Sequence, residues 1–181
     1  MGYAVLHIDK ARSNDSGNTA HIARTYTPSN VDPSRTHLNR ELVQFPANVT
    51  NRSEAIEHRI ATACIYRKVA KNQVKALRFI LSSSPKDMAR IEQEGRLYEW
   101  CDESMDWLRS TFGADNVVAA TLHADEETPH IHATVVPIVT GERRKAKEEA
   151  ENGKRKYKTK KNNVHSFCID ECSTYNCQVT I

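Results

Sequence analysis

Apolar residues recur along this chain with two different periods, and the switch between them outlines a fold. In "GYAVLHID" (2–9), Ala4, Leu6 and Ile8 alternate with Tyr3, Val5, His7 and Asp9. That two-residue period is the mark of a strand with one face turned inward. "ALRFILSSS" (76–84), "NVVAATLHA" (116–124) and "HIHATVVPI" (130–138) read as three further strands, the last two flanking a polar loop. Elsewhere the period lengthens. Ile56, Ile60, Ala63 and Cys64 share one face of a helix beginning near Asn51, where Glu54 three residues on completes a capping-box pattern. Ser84 and Pro85 hold the favoured first positions of a second helix. Leu97, Cys101, Leu108 and Phe112 carry its inner face to about residue 112, Trp100 and Trp107 flank that face, and Gly113 is its natural stop. The order strand, excursion, helix, strand, helix, strand, strand predicts an α+β domain: an antiparallel sheet with helices packed on one face.

The excursion is the anomaly. Residues 10–52 are polar and rich in Ser, Asn, Thr and Pro, and a stretch that long inside a compact domain usually carries function. No internal repeat is visible. The expected organisation is a domain over 1–140, followed at 141–181 by a basic linker and an irregular tail, truncated or disordered.

Composition narrows the class. The chain has 181 residues, 39% of them hydrophobic and 27% charged, with a mean hydropathy of −0.64. That is enough for one core. No run approaches the roughly 18 apolar residues of a membrane span, and the N-terminus lacks a signal-peptide pattern, so a cytoplasmic protein is expected. Five cysteines, an odd number, do not suggest a disulfide framework. Cys64 and Cys101 read as small core residues, and the spacing of His165, Cys168, Cys172 and Cys177 is not that of a zinc finger.

Charge adds a partner. The net balance is only +3, but residues 143–161 carry ten Lys or Arg against three Glu, leaving the remainder of the chain at −4. Such a concentration suits nucleic-acid phosphates. Within it, Arg143, Arg144, Lys145, Lys154, Arg155 and Lys156 are the candidate contacts; a solvated basic run with no partner is the plainer alternative.

The candidate chemistry lies in "LHADEETPHIHATVVP" (122–137), which places three of the eight histidines within ten positions. His130 and His132, two apart on a strand, project from the same face about 7 Å apart. If the two strands pair as a hairpin, His123 faces them across the ladder. Three neutral imidazoles beside carboxylates suit a divalent metal, and three protein ligands leave positions open for substrate. An open metal centre beside DNA-binding charge can polarise a phosphoryl oxygen.

"HADEETPHIH" closely resembles the HxDExTPHxH signature of the Mob/Pre (MobV) plasmid-mobilisation relaxases, members of the HUH endonuclease superfamily. "HIAR" (21–24) matches their HxxR motif, and "DPSRTHLNREL" (32–42) echoes a third. The motifs occur in the family's order across residues 1–140. The resemblance implies a relaxase that nicks single-stranded origin-of-transfer DNA, with an adjacent hairpin, and stays covalently attached to its 5′ end to start mobilisation. It implies His123, His130 and His132 as metal ligands for Mn²⁺ or Mg²⁺, His21 as nucleophile through a histidine phosphoramidate, and Arg24 on the scissile phosphate. Glu126 falls at the family position of a base or orienting carboxylate. Tyr26 is the alternative nucleophile, and Arg35 and Asn39 are candidates for DNA binding or scaffolding. His7 is expected in the core or behind a ligand, His37 in a turn near the site, His58 on the surface, and Asp125 behind a ligand histidine. Transfer-machinery proteins are the further partners implied. Two other functions remain open: an HUH rolling-circle replication initiator, and a non-enzymatic DNA-binding repressor.

Overall fold

The computed structural model describes residues 4–11, 16–63, 73–141 and 163–166. Five strands form one antiparallel sheet in the order β1-β3-β5-β4-β2: β1 (Ala4–Ala11), β2 (Arg40–Glu41), β3 (Ala76–Ser83), β4 (Val117–His123) and β5 (His130–Val135). Two further strands, β6 (Ile138–Gly141) and β7 (Asn163–Ser166), pair with each other. The helices are α1 (Ser16–Ile22), α2 (Arg52–Thr62), α3 (Pro85–Gln93) and α4 (Leu97–Phe112). Among the described residues no helix is long and apolar enough to cross a membrane.

The alternation read from the sequence sorts the two faces of the sheet. Leu77, Phe79, Leu122, Ile131, Ala133 and Val135 point to one side, where α3 and α4 cover them with Met88, Ile91, Trp100, Cys101, Met105 and Leu108. This is the main core and the helix-covered face that the pattern predicts. The other face carries cross-strand rows set by the register: the pairs Val5–Ser82 and His130–His123, then His7–Ile80–His132–Thr121–Glu41, then Asp9–Arg78–Thr134–Ala119. A smaller core closes the far end of that face, where Ala55 and Ile56 of α2 pack on Ala76, Val118 and Val136. Helix α2 thus lies beside the histidines rather than behind the sheet.

Local chemistry explains the helix ends. The Asn51 side chain accepts from the Glu54 amide (3.0 Å), and Glu54 Oε2 accepts from the Thr50 amide (2.7 Å), so α2 is capped from both sides. Ser84 caps α3 on the Asp87 amide (3.1 Å), with Pro85 at its first position. The single helix expected from Pro85 to about Phe112 is in fact two. Gly95, at φ +69°, ends α3, and α4 restarts at Leu97. A left-handed residue cannot be accommodated in a continuing α-helix, and glycine adopts it without steric cost. At the other end, Asn116 is buried with both amide groups satisfied. It donates to the carbonyls of Phe112 (2.6 Å) and Ile138 (2.7 Å) and accepts from Arg59 (2.9 and 3.1 Å), tying α4, β6 and α2 together.

Candidate active site

The β4–β5 hairpin builds the site directly. His123 and His130 are cross-strand partners flanking residues 124–129, and His132 follows on the same face. The imidazole centroids lie 5.3 Å (His123–His130), 4.8 Å (His123–His132) and 4.8 Å (His130–His132) apart. His21, at the last turn of α1, closes the group at 5.9 Å from His123 and 5.8 Å from His132.

The loop at 124–129 brings in the carboxylates. Asp125 is fully buried and accepts four hydrogen bonds: Arg24 Nη2 (2.7 Å) and Nε (3.0 Å), Asn39 Nδ2 (2.7 Å) and Thr36 Oγ1 (3.1 Å). Asn39 also accepts from the Ala124 amide, and the Asp125 carbonyl accepts from the Asp32 amide, both at 2.8 Å. The Asp125 carboxylate and these backbone bonds therefore fasten the long polar excursion to the hairpin. Burial alone would raise the Asp125 pKa, but the bonds from Arg24 and Asn39 outweigh it and bring it to about 2. Glu126 follows the same logic: burial raises it, the Arg24 bond overrides this, and it falls below its ordinary value. Glu126 Oε1 accepts from Arg24 Nη2 at 2.7 Å and lies 3.7 Å from His21 Nε2 and 3.6 Å from His123 Nδ1; Asn30 donates to its other oxygen at 2.7 Å.

Arg24 sits at the centre, its backbone in the left-handed region at φ +51°. Such a conformation in a non-glycine residue persists only where the surroundings enforce it, and here the guanidinium is held by both carboxylates. It also reaches the His21 carbonyl (3.1 Å), His21 Nε2 (3.5 Å) and His123 Nδ1 (3.0 Å). Burial keeps the two innermost histidines neutral: His132 is pushed down to about 2 and His123 to about 4.

The donor set fits a divalent cation. His130 Nδ1 donates to the Thr128 carbonyl (2.9 Å), which leaves Nε2 as a lone-pair donor, and that atom lies 3.0 Å from His132 Nε2. Two ligand atoms on one metal at about 2.1 Å and a right angle to each other are separated by about 3 Å. His123 is engaged on both nitrogens, donating from Nε2 to the Ile22 carbonyl (3.0 Å) and accepting at Nδ1 from Arg24. Ligand atoms gather within 4.8 Å in two sets, His21–His123–His132 and His123–Glu126–His130, which share His123. The guanidinium of Arg24 thus already contacts two groups, His123 and Glu126, that a bound cation would use.

The structure brings His21, Arg24, Glu126, His123, His130 and His132 into one constellation. Tyr26 is 53% exposed. Arg35 pairs with Glu92 of α3 (2.9 Å), while Asn39 belongs to the site through Asp125. His7 is exposed on the histidine face rather than in the core; His37 and His58 are exposed. Arg143, Arg144, Lys145, Lys154, Arg155 and Lys156 lie outside the described residues, as does Cys64. Two features escape the sequence pattern. Asn30 gives no signal, being one polar residue among many. Arg52, 5% exposed, donates to Thr134 Oγ1 (2.6 Å) and Thr121 Oγ1 (3.1 Å), and Thr121 bonds Glu41 at 3.0 Å. Its signal was present, because positions 52, 55 and 56 share the buried face of α2.

Comparison with known proteins gives the chain its relatives. The family model Mob_Pre, plasmid recombination enzyme, matches residues 1–176. Plasmid recombination enzyme type 3 of Staphylococcus aureus is 32% identical over 162 residues, covering 85% of this chain and 38% of that protein. A plasmid recombination enzyme of Streptococcus agalactiae is 24% identical over 78% of this chain and 29% of its own length. The chain thus spans well under half the length of these relatives. Among solved structures, the MobM relaxase domain, Mn-bound and in complex with plasmid pMV158 oriT DNA, superposes with a TM-score of 0.65 at 28% identity, covering 75% of this chain and 70% of that one.

Proposed function

Since the chain belongs to the Mob_Pre family of plasmid recombination enzymes, we propose that it is a relaxase: a metal-dependent, strand-specific nickase acting on single-stranded origin-of-transfer DNA. The observation that carries this reading is the convergence of His21, Arg24 and Glu126 on the three-histidine hairpin. The MobM domain that it resembles binds Mn and oriT DNA, and Mn²⁺ or Mg²⁺ is the expected ion here. The reading includes a cytoplasmic site of action, a hairpin beside the nick, and transfer proteins as later partners.

His123, His130 and His132 would hold the ion. The chemistry a divalent ion supplies when bound there is Lewis-acid polarisation of a phosphoryl oxygen. The remaining work falls to the chain's own residues. His21 Nε2 carries the lone pair, as its approach from the Arg24 N–H requires, and attacks phosphorus. An N–P bond forms, the P–O3′ bond breaks in line, and the departing 3′ oxygen takes up a proton from solvent water. The 5′ phosphate remains on His21 as a phosphoramidate, from which the same 3′ hydroxyl can reclaim it. Glu126, 3.7 Å from His21 Nε2, offsets the positive charge that grows on the imidazole. The guanidinium of Arg24 would hold the phosphate's developing charge.

The test is to incubate the protein with Mn²⁺ and labelled single strands tiled across the replicon that encodes it. A covalent adduct that falls apart in acid, and drops at least about 1000-fold in His21→Ala, is expected. An acid-stable adduct lost in Tyr26→Phe would transfer the nucleophile to Tyr26, and no adduct with any strand would overturn the nickase reading.

A further inference from the structure

The histidine face of the sheet continues past the site toward β1, where it opens a cleft of ≈ 230 Å³. His21 and His132 line it where it meets the active site. The register places Ile80 and then His7 beside His132, and sets Arg78 with Asp9 in the next row. Ile22 of α1 and Arg52 of α2 line it from the helices above. From His132 to Arg78 is one strand across and one side-chain step along, about 8 Å between Cα atoms, within reach of the nucleotide next to one held at His21.

The chemistry of the cleft favours a base over a phosphate. Arg78 donates to Asp9 Oδ2 across the β1–β3 pair, so guanidinium donors and a carboxylate acceptor stand side by side beside Ile22 and Ile80. The Lys10 amide bonded to Asp9 Oδ1 (2.7 Å) holds that carboxyl below its usual range, keeping it an acceptor. A lone phosphodiester entering there would meet the negative charge of Asp9. A nucleobase instead matches the arrangement, with apolar faces for the walls and a donor beside an acceptor on its Watson–Crick edge. In a single strand that edge is unpaired and free to be read.

We propose that this cleft takes the base of a nucleotide adjoining the phosphate attacked by His21, and that Asp9 and Arg78 read its edge as specificity determinants. The proposal rests on the nickase reading above. It assigns sequence discrimination at one flanking position to β1 and β3, apart from the histidine hairpin.

The experiment uses single strands carrying the mapped nick, with each of the four bases placed in turn at the nucleotides on either side. Wild-type protein should prefer one base at one of the two positions by about 10-fold in nicking rate, the discrimination expected of a paired hydrogen-bond contact. Asp9→Asn and Arg78→Gln should each collapse that preference to about 2-fold while leaving preferences farther along the strand intact. Because the readout is a ratio between substrates on one protein preparation, loss of stability from the β1–β3 pair cancels. Wild-type preference retained in both variants would overturn the cleft assignment alone. Failure of the wild-type protein to nick any strand would overturn the nickase reading, and the cleft assignment with it.

Discussion

Asp125 shows how much one side chain can organise. It is a fully buried carboxylate whose four hydrogen bonds come from Arg24, Thr36 and Asn39, all in the polar excursion. Removing one partner of a buried charge pair costs about 3–5 kcal/mol where the other charge is left uncompensated; here Glu126 still pairs with Arg24, so the lower end applies. Asp125→Ala should therefore lower the thermal midpoint by roughly 6–12 °C, at 2–4 °C per kcal/mol for a chain of this size. Nicking per folded molecule should fall as well, because Arg24 would no longer be aimed. A midpoint within a degree or two of the parent, read by calorimetry, would show that the excursion is held by something else. At this scale the sequence was unevenly informative. The HxH pair and the intervening acidic residues are visible because strand alternation turns spacing into geometry. That Asp125 and Glu126 both face Arg24 is not visible, since a six-residue loop has no period from which to read side-chain direction. Arg52 was hidden differently: a charged residue on an apolar helix face is ordinarily read as an interruption, and here Thr121 and Thr134 receive it.

At the level of elements, Gly95 carries the largest departure from the sequence reading. The apolar period runs through it unbroken, because α3 and α4 both turn their inner sides to the same sheet face. Periodicity reports which residues are buried and is blind to a break that preserves burial. Only the conformation at φ +69° reveals two helices. A Cβ at that position would meet nothing within 4 Å, so the cost of Gly95→Ala is purely conformational, about 1 kcal/mol. The expected result is a midpoint lowered by about 2–4 °C with unchanged nicking by the folded protein; a stabilised variant would mean that a continuous helix had formed. Helix α1 and strand β2 were illegible for other reasons. "SGNTAHI" consists mostly of weak helix formers, and its last turn is fastened from outside, where His123 donates to the Ile22 carbonyl. A two-residue strand such as Arg40–Glu41 has no room to display alternation; pairing with β4 alone defines it.

For the molecule as a whole, the proposed DNA substrate raises an electrostatic question, because the net charge outside one short run is −4. The histidine face contributes local cations, but two of them already have acidic partners: Arg24 with Asp125 and Glu126, and Arg78 with Asp9. If the chain binds DNA as proposed, long-range attraction is expected largely from residues 143–161, with their local surplus of +7, which lie within the 1–176 span matched by the family model. This division predicts separable contributions. Each phosphate neutralised on a single strand changes the slope of log affinity against log salt by about 0.7. Replacing Arg143, Arg144, Lys145, Lys154, Arg155 and Lys156 with Gln should flatten that slope by up to about 4, weakening all single strands alike and leaving the choice of nick site intact. Fluorescence anisotropy across a salt series would measure the slope. If it stays at the parental value, the basic run does not touch phosphate, and the electrostatic hold on DNA must lie on the sheet face, where Arg52 and Arg78 would have to exchange their protein partners for the strand.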